Sequence, residues 1–513
     1  MNPSREHNVV SLLDAAAVRH PERPALVFGE QSVTFAELQA RVSCCAYELS
    51  LLGLQCGQRV IIMIPMSPEL YVTLLGVIRC GAVAVFVDPW MPIRQIASFA
   101  AFAQPAGFIG TTKSHLLRLI QPQLARIGLS VTTGGCCLGL PARYSLKALL
   151  QKKNSMSPEA VTPDAPALIT FTSGSSGIPK GANRTHGFLC AQYQALCKEL
   201  DYQEGDIDMP MFPVFALRNL AAGMTSVIPS MDFRHPAKIN PVTIAHQLRA
   251  NRVTLLTASP PFIDRLAELA EPPQLRRIWT GGAPVSNAQL ERWQKAFPQS
   301  EIEIIYGSTE AEPVAHISSC DRLATSEQAG FCCGTPTTLL QTRIIQIRKD
   351  AVRADELEGL TCPAGEVGEL IVSGLHVCRD YFNNPDAVRE NKIVMPDNTC
   401  WHRMGDTGYF DRAGRFFLTG RVHSTIWRHG QILHAQVVEA DVARRLPEAQ
   451  RVAALEENGN LLIVIQGPNI SDAQQRIDAD RILFTCKPLP VDPRHNAKID
   501  YARLRERIQK GDL

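Results

Sequence analysis

Short, wholly apolar runs alternate with amphipathic stretches along the first four fifths of the chain. Val60-Ile61-Ile62-Met63-Ile64 reads as a buried strand, Leu70 to Arg79 as a helix, and Val83-Ala84-Val85-Phe86-Val87 as a second strand before Asp88-Pro89. Uninterrupted β-branched runs suit strands covered on both faces, and a strand-helix-strand order implies parallel pairing. The rhythm returns at Ala167-Leu168-Ile169-Thr170-Phe171, at Thr254-Leu255-Leu256-Thr257, at Arg277-Ile278-Trp279-Thr280 and at Glu303-Ile304-Ile305-Tyr306. From about Val367 the runs shorten to Glu369-Leu370-Ile371-Val372 and Arg415-Phe416-Phe417-Leu418, which predicts a small β-rich subdomain. After Gly420-Arg421 a last stretch carries its own strand and helix signals and ends in a charged helix through Arg503, Arg505 and Arg507. The pattern predicts an α/β protein: a large body with parallel sheets and a small β subdomain over residues 1–420, and a small α+β domain over 421–513. The segment from Glu456 to Asp472 leaves little room for a full three-stranded unit in that last domain. No internal repeat or long low-complexity linker interrupts the chain.

Composition narrows the class. The chain has 513 residues, more than one hydrophobic core usually serves, and 52 basic against 50 acidic side chains leave a formal charge of +2. That balance supplies no basic field for nucleic acid. The start, Met1 to Asn8, lacks the apolar stretch of a signal peptide, and no apolar run reaches the ~18 residues of a spanning helix, so a cytoplasmic location is expected. Peripheral membrane contact, contact with a pathway enzyme and the oligomeric state stay open. The 15 cysteines include the pairs Cys44-Cys45, Cys136-Cys137 and Cys332-Cys333 but no C-x-x-C spacing, which suits reduced core thiols and neither a disulfide framework nor a zinc site.

Chemistry concentrates where strands give way to glycine. Ala167–Phe171 leads into Thr172-Ser173-Gly174-Ser175-Ser176-Gly177-Ile178-Pro179-Lys180-Gly181, whose backbone is free to wrap a phosphate while hydroxyls and Lys180 supply donors. Gly181 follows the lysine where a Walker A loop has Ser or Thr, and the glycine spacing differs. Two further strands run into Gly281-Gly282-Ala283-Pro284 and into Gly307 of Tyr306-Gly307-Ser308-Thr309-Glu310. Open α/β sheets bind ligands at such strand ends.

Over essentially its whole length the chain resembles the adenylate-forming superfamily of acyl-CoA synthetases, firefly luciferase-type enzymes and nonribosomal adenylation domains. Thr172 to Gly181 matches the family's phosphate loop, Gly281 to Pro284 its adenine-side loop, and Tyr306 to Glu310 its aromatic-plus-acid motif. Met404-Gly405-Asp406 matches the ribose motif, Gly420-Arg421 the hinge-side arginine, and Asn496-Ala497-Lys498 the Gly-Lys near the C-terminus. The resemblance implies ATP and Mg²⁺ as cofactors, with Thr172 and Glu310 toward the metal and Thr309, Glu310 and Lys498 in catalysis. It implies that Asp406 accepts from the ribose hydroxyls, that Arg421 forks onto ribose or phosphate, and that residues 421–513 form a mobile lid. Lys498 would stabilise charge as the substrate carboxylate attacks the α-phosphate, giving acyl-AMP and pyrophosphate. Taken singly, Glu310 is a surface carboxylate, Asp406 a turn residue and Lys498 an exposed lysine; their order along the chain carries the reading.

Within that superfamily, Phe212 to Leu217, Gly223 to Pro229 and Val491 to Ile499 resemble the β-lactone synthetases of bacterial olefin biosynthesis more than general CoA ligases. Many CoA ligases end the Pro-x-Phe element in His near the thiol tunnel, and this chain has Ala216. The resemblance implies that the β-hydroxyl of a β-hydroxy fatty acid closes a lactone on its own acyl-AMP. Phe212, Phe215, Ala216 and Met224, with Met211, are candidates for an aliphatic acyl pocket and equally for core. His186 is a candidate base for the hydroxyl, or else a helix-start or packing residue. An acyl-CoA or acyl-carrier ligase, and a nucleotide-binding protein without turnover, are the competing readings; Glu310, Asp406, Arg421 and Lys498 together argue against the second of these. Two departures stand out: Val422-His423-Ser424-Thr425 follows the hinge where family members often carry Asp or Lys, and Arg379-Asp380-Tyr381 replaces Arg-Gly-Tyr, losing a glycine that permits positive φ.

Overall fold

The computed structural model describes residues 8–87, 91, 96, 102–134, 142–172, 180–492 and 498–513. The chain divides into two units, one of Met1–Ala258, Pro272–Ile278 and Leu375–Ala387, the other of Ser259–Glu271, Trp279–Gly374 and Val388–Leu513.

The first unit holds the parallel sheets that the apolar runs predict. Strands Leu129–Thr132, Gly107–Gly110, Arg59–Met63, Val83–Phe86 and Pro166–Thr172 follow one another in parallel, and Lys180–Thr185 closes that edge antiparallel to Pro166–Thr172. In a second layer, Leu255–Ala258, Ile207–Pro210, Thr225–Ile228 and Pro24–Phe28 are parallel neighbours. Helix Pro68–Arg79 starts where the Ser67 hydroxyl accepts from the Leu70 N–H at 3.4 Å and Pro68 supplies a preset φ. It is buried along nearly its whole length, which accounts for its near-continuous apolar sequence.

The second unit is built on antiparallel pairing. Its sheet runs Gln341–Ile345, Gly368–Ser373, Cys400–Phe410, Phe416–Arg421, Phe331–Pro336, Ala311–Ser318 and Glu301–Ser308. The expectation that the C-terminal stretch lacks room for three strands is wrong. Arg451–Glu457 and Asn460–Gln466 form a hairpin, and Arg481–Thr485 adds in parallel. The two-residue turn Asn458-Gly459, with φ of 53° and 77°, takes almost no chain, so length was not limiting. Two apolar clusters drawn wholly from residues beyond 425, one around Ile463 and Leu446 and one around Val464 and Leu504, give this stretch its own core.

Among the described residues, no helix is long and apolar enough to cross a membrane, and 13 cysteines are free thiols. Asp380 has no positive φ, and its carbonyl accepts from Asn183 N–H at 3.2 Å, so the missing glycine causes no strain here.

Candidate functional site

The second unit brings together most of the charged residues that the sequence singles out. Glu301–Ser308 and Ala311–Ser318 form a hairpin, and Thr309 and Glu310 are its tip. The Ser308 hydroxyl accepts from the N–H groups of Glu310 and Ala311, both at 3.2 Å, which fixes the turn that presents Glu310. Gly281, at the end of strand Arg277–Gly281, lies so close to this hairpin that a Cβ would stand 2.5 Å from the Ile305 carbonyl oxygen, and Gly282 has φ of 79°. Any side chain at Gly281 forces the two strand ends apart, and Gly282 occupies a conformation that L residues rarely adopt.

Cross-strand register makes the central contact. Cys400–Phe410 pairs antiparallel with Phe416–Arg421 so that Asp406 and Arg421 are direct partners, and Arg421 Nε lies 2.7 Å from Asp406 Oδ1. The Tyr306 hydroxyl donates to Asp406 Oδ2, also at 2.7 Å. Burial, with the Asp406 charge beside it, holds the Tyr306 phenol well above its ordinary range, so it stays a donor. The same carboxylate, offset by burial, raises Arg421, and Glu310 adds to that field. A carboxylate has about four acceptor positions, so Asp406 keeps room for further donors such as vicinal hydroxyls.

Sequence reasoning missed the support beneath Asp406. Arg403 pairs with the buried Glu369 at 2.6 Å and donates to the carbonyls of Arg348, Asp350 and Glu390. Burial raises Glu369, partly offset by Arg403 and by a hydrogen bond from the Gly405 backbone, which ties the strand just before Asp406 to this pair. No motif marks two such residues 34 apart in sequence.

Other candidates are placed as follows. Lys498 is half-buried; its N–H donates to Asp492 Oδ1 and its carbonyl accepts from Asp492 N–H, both at 2.9 Å, and Val491 pairs with Ile499. After Arg421, Val422–Ser424 makes one tight helical turn, and burial followed by the Arg421 charge lowers His423. Ser173, Gly174, Ser175, Ser176 and Gly177 lie outside the described residues, as do Arg494 to Ala497. Thr172 ends its strand, and Lys180 begins the next with Nζ 5.9 Å from the Tyr381 ring centroid. Ala283 follows Gly282 and is half-buried. Among the described residues no three His, Cys, Asp or Glu side chains cluster as a metal cage. Mg²⁺ held on nucleotide phosphates needs only one or two protein oxygens, a requirement that Glu310 fits.

His186 resolves in favour of packing. It opens helix His186–Glu199, is fully buried, and its Nδ1 accepts from the Val9 N–H at 3.1 Å. Nε2 then carries the proton and meets no partner among the described residues, and burial pushes the pKa down to about 4. With its acceptor nitrogen taken, this ring is no base for a substrate hydroxyl. Of the acyl candidates, Phe212 and Phe215 pack together at 6.4 Å between centroids, Ala216 is fully buried beside Leu220 and Ile228 in core, Met211 is buried, and Met224 Sδ faces Arg218.

Asp406→Ala leaves the Tyr306 hydroxyl and Arg421 without their shared acceptor. We expect weaker ATP binding by calorimetric titration, with about 1–3 kcal/mol lost in urea unfolding. Unchanged ATP affinity would remove Asp406 from the nucleotide site.

Residues 13–382 match a family model described as AMP-binding enzyme. The chain is 32% identical to an olefin beta-lactone synthetase of Stenotrophomonas maltophilia, over 96% of this chain and 94% of that one. It is likewise 32% identical to an olefin beta-lactone synthetase of Xanthomonas campestris pv. campestris, over 92% and 90%. Among solved structures, ATP-bound MatB from Rhodopseudomonas palustris superposes with a TM-score of 0.82 at 20% identity, covering 100% of both chains, a likeness of fold.

Proposed function

Since the chain belongs to the AMP-binding enzyme family and is an ATP-dependent adenylate-forming ligase, we propose that it converts a β-hydroxy fatty acid to a β-lactone. In the first step a carboxylate oxygen attacks the α-phosphorus of ATP and pyrophosphate leaves. In the second the β-hydroxyl oxygen attacks the acyl carbon, the bond to AMP breaks, and the hydroxyl proton is released. The observation that supports this reading is the 32% identity to an olefin beta-lactone synthetase extending over 96% of the chain.

The residues divide the work. Asp406, with Tyr306 and Arg421 locked onto it, receives the ribose hydroxyls, and Gly281, Gly282 and Ala283 border the adenine. By the family resemblance Glu310 at its hairpin tip and Thr172 would hold Mg²⁺, and Ser173 to Gly177 with Lys180 would bind the phosphates. Lys498 meets charge developing between carboxylate and α-phosphate. The metal supplies neutralising charge when bound. Holding hydroxyl and mixed anhydride in one molecule gives the second step a high effective concentration, of order 10⁵ M or more in well-oriented cases. Residues 421–513 act as the lid that brings Lys498 in.

Isotope labelling tests the route. An acid carrying heavy oxygen in its carboxylate should pass one labelled atom to AMP, and an acid labelled at its hydroxyl should keep that atom in the lactone ring. Loss of the hydroxyl label would mean that the hydroxyl departs, and unlabelled AMP would exclude acyl adenylation.

A further inference from the structure

A cavity of about 70 Å³ opens in the first unit among helices Ser11–Arg19, Pro68–Arg79, His186–Glu199 and Pro213–Ala222. Its wall is mainly aliphatic, including Leu13, Leu74, Ile78, Leu196 and Leu217, and Arg184 and Arg218 contribute to it; no residue assigned above to the nucleotide lines it. Arg218 is only 5% exposed, yet among the described residues it forms no ion pair with a carboxylate. Nη1 donates to Met224 Sδ at 2.7 Å and to Asn219 Oδ1 at 3.4 Å, Nη2 approaches Cys197 Sγ at 3.6 Å, the Tyr202 ring lies against the guanidinium, and Nε meets no acceptor.

The nearby acid is already committed. Asp208 accepts from Asn219 Nδ2 at 2.7 Å and from Thr257 Oγ1 at 3.1 Å, and burial raises it to about 7, which leaves it a partial counter-charge at neutral pH. A buried guanidinium served by sulfur, an amide and a ring is poorly compensated, since burying a charge without pairing costs several kcal/mol. The missing component is an anion, and the wall beside it is hydrocarbon.

We infer that this cavity binds a single-chain aliphatic carboxylate, with the headgroup on Arg218 and the chain along the leucine-lined wall. At roughly 15 Å³ for each water-sized sphere, the space accommodates about five, the scale of a four- or five-carbon acid. The ligand is of the same chemical class as the acid in the proposed reaction, but the site stands on its own geometry and does not depend on lactone formation.

The test uses the full chain without ATP, titrated calorimetrically with pentanoate and with pentanol. Pentanoate is expected to bind at least about tenfold tighter than the alcohol. Arg218→Met should abolish that preference, Arg218→Lys retain part of it, Leu217→Trp remove both by filling the cavity, and Lys498→Ala leave pentanoate binding intact. Carboxyl-labelled pentanoate bound to the wild type should titrate below the free acid by NMR, a readout that stands even if Arg218→Met fails to fold. Equal binding of acid and alcohol, a preference untouched in Arg218→Met, or a wild type that ignores pentanoate would overturn the inference.

Discussion

Replacing Lys498 by alanine is expected to slow adenylation by ~10²-fold or more, about 2.7 kcal/mol, while ATP affinity changes little. The reason lies in how the chain holds this cation. Asp492 and Lys498 exchange backbone and side-chain hydrogen bonds, Val491 pairs with Ile499, and the flanking Leu489 and Leu504 are buried in one apolar cluster. The lysine is therefore carried on a fixed base within the last domain, and its charge can be delivered without reorganisation at the moment of reaction. Charge that is present only as the carboxylate meets the α-phosphate is stabilised in the transition state and much less in bound ATP. Isotope exchange between pyrophosphate and ATP measures the step, and calorimetry measures nucleotide binding. Exchange at the wild-type rate in Lys498→Ala would take the lysine out of catalysis.

The parts of this protein that were legible in sequence are those written in local chemistry. Val60–Ile64 and Val83–Val87 are apolar throughout because their strands are covered on both faces, and both emerge as parallel strands of one sheet. Tyr306 to Glu310 could be recognised as a motif, but not that its tyrosine hydroxyl seats on Asp406, 100 residues away. That contact depends on sheet register, including the irregularity between Thr407 and Gly408, which no spacing rule reports. The sheet of the C-terminal stretch was missed for a different reason. Asn458-Gly459 is a strong two-residue hairpin signal, and judging Glu456 to Asp472 too short for the unit overlooked that it holds the end of one strand and the whole of the next. Arg218 was invisible because a cation on a buried helix face has no pattern of its own; what marks it is that among the described residues it forms no ion pair with a carboxylate.

The central claim is that the acyl adenylate is consumed by a nucleophile already in the substrate. The most direct measurement is product analysis by mass spectrometry after incubation of a β-hydroxy fatty acid with ATP and Mg²⁺, with and without CoA, beside the same acid lacking its hydroxyl. The account predicts AMP and a β-lactone from the hydroxy acid with no thiol present. It also predicts that the acid without a hydroxyl stalls as bound acyl-AMP, releasing AMP at least ~10³-fold more slowly because the tethered nucleophile is gone, and that CoA does not rescue it. Rapid CoA thioester formation from the plain fatty acid, with no lactone from the hydroxy acid, would contradict the account and make this chain a conventional ligase.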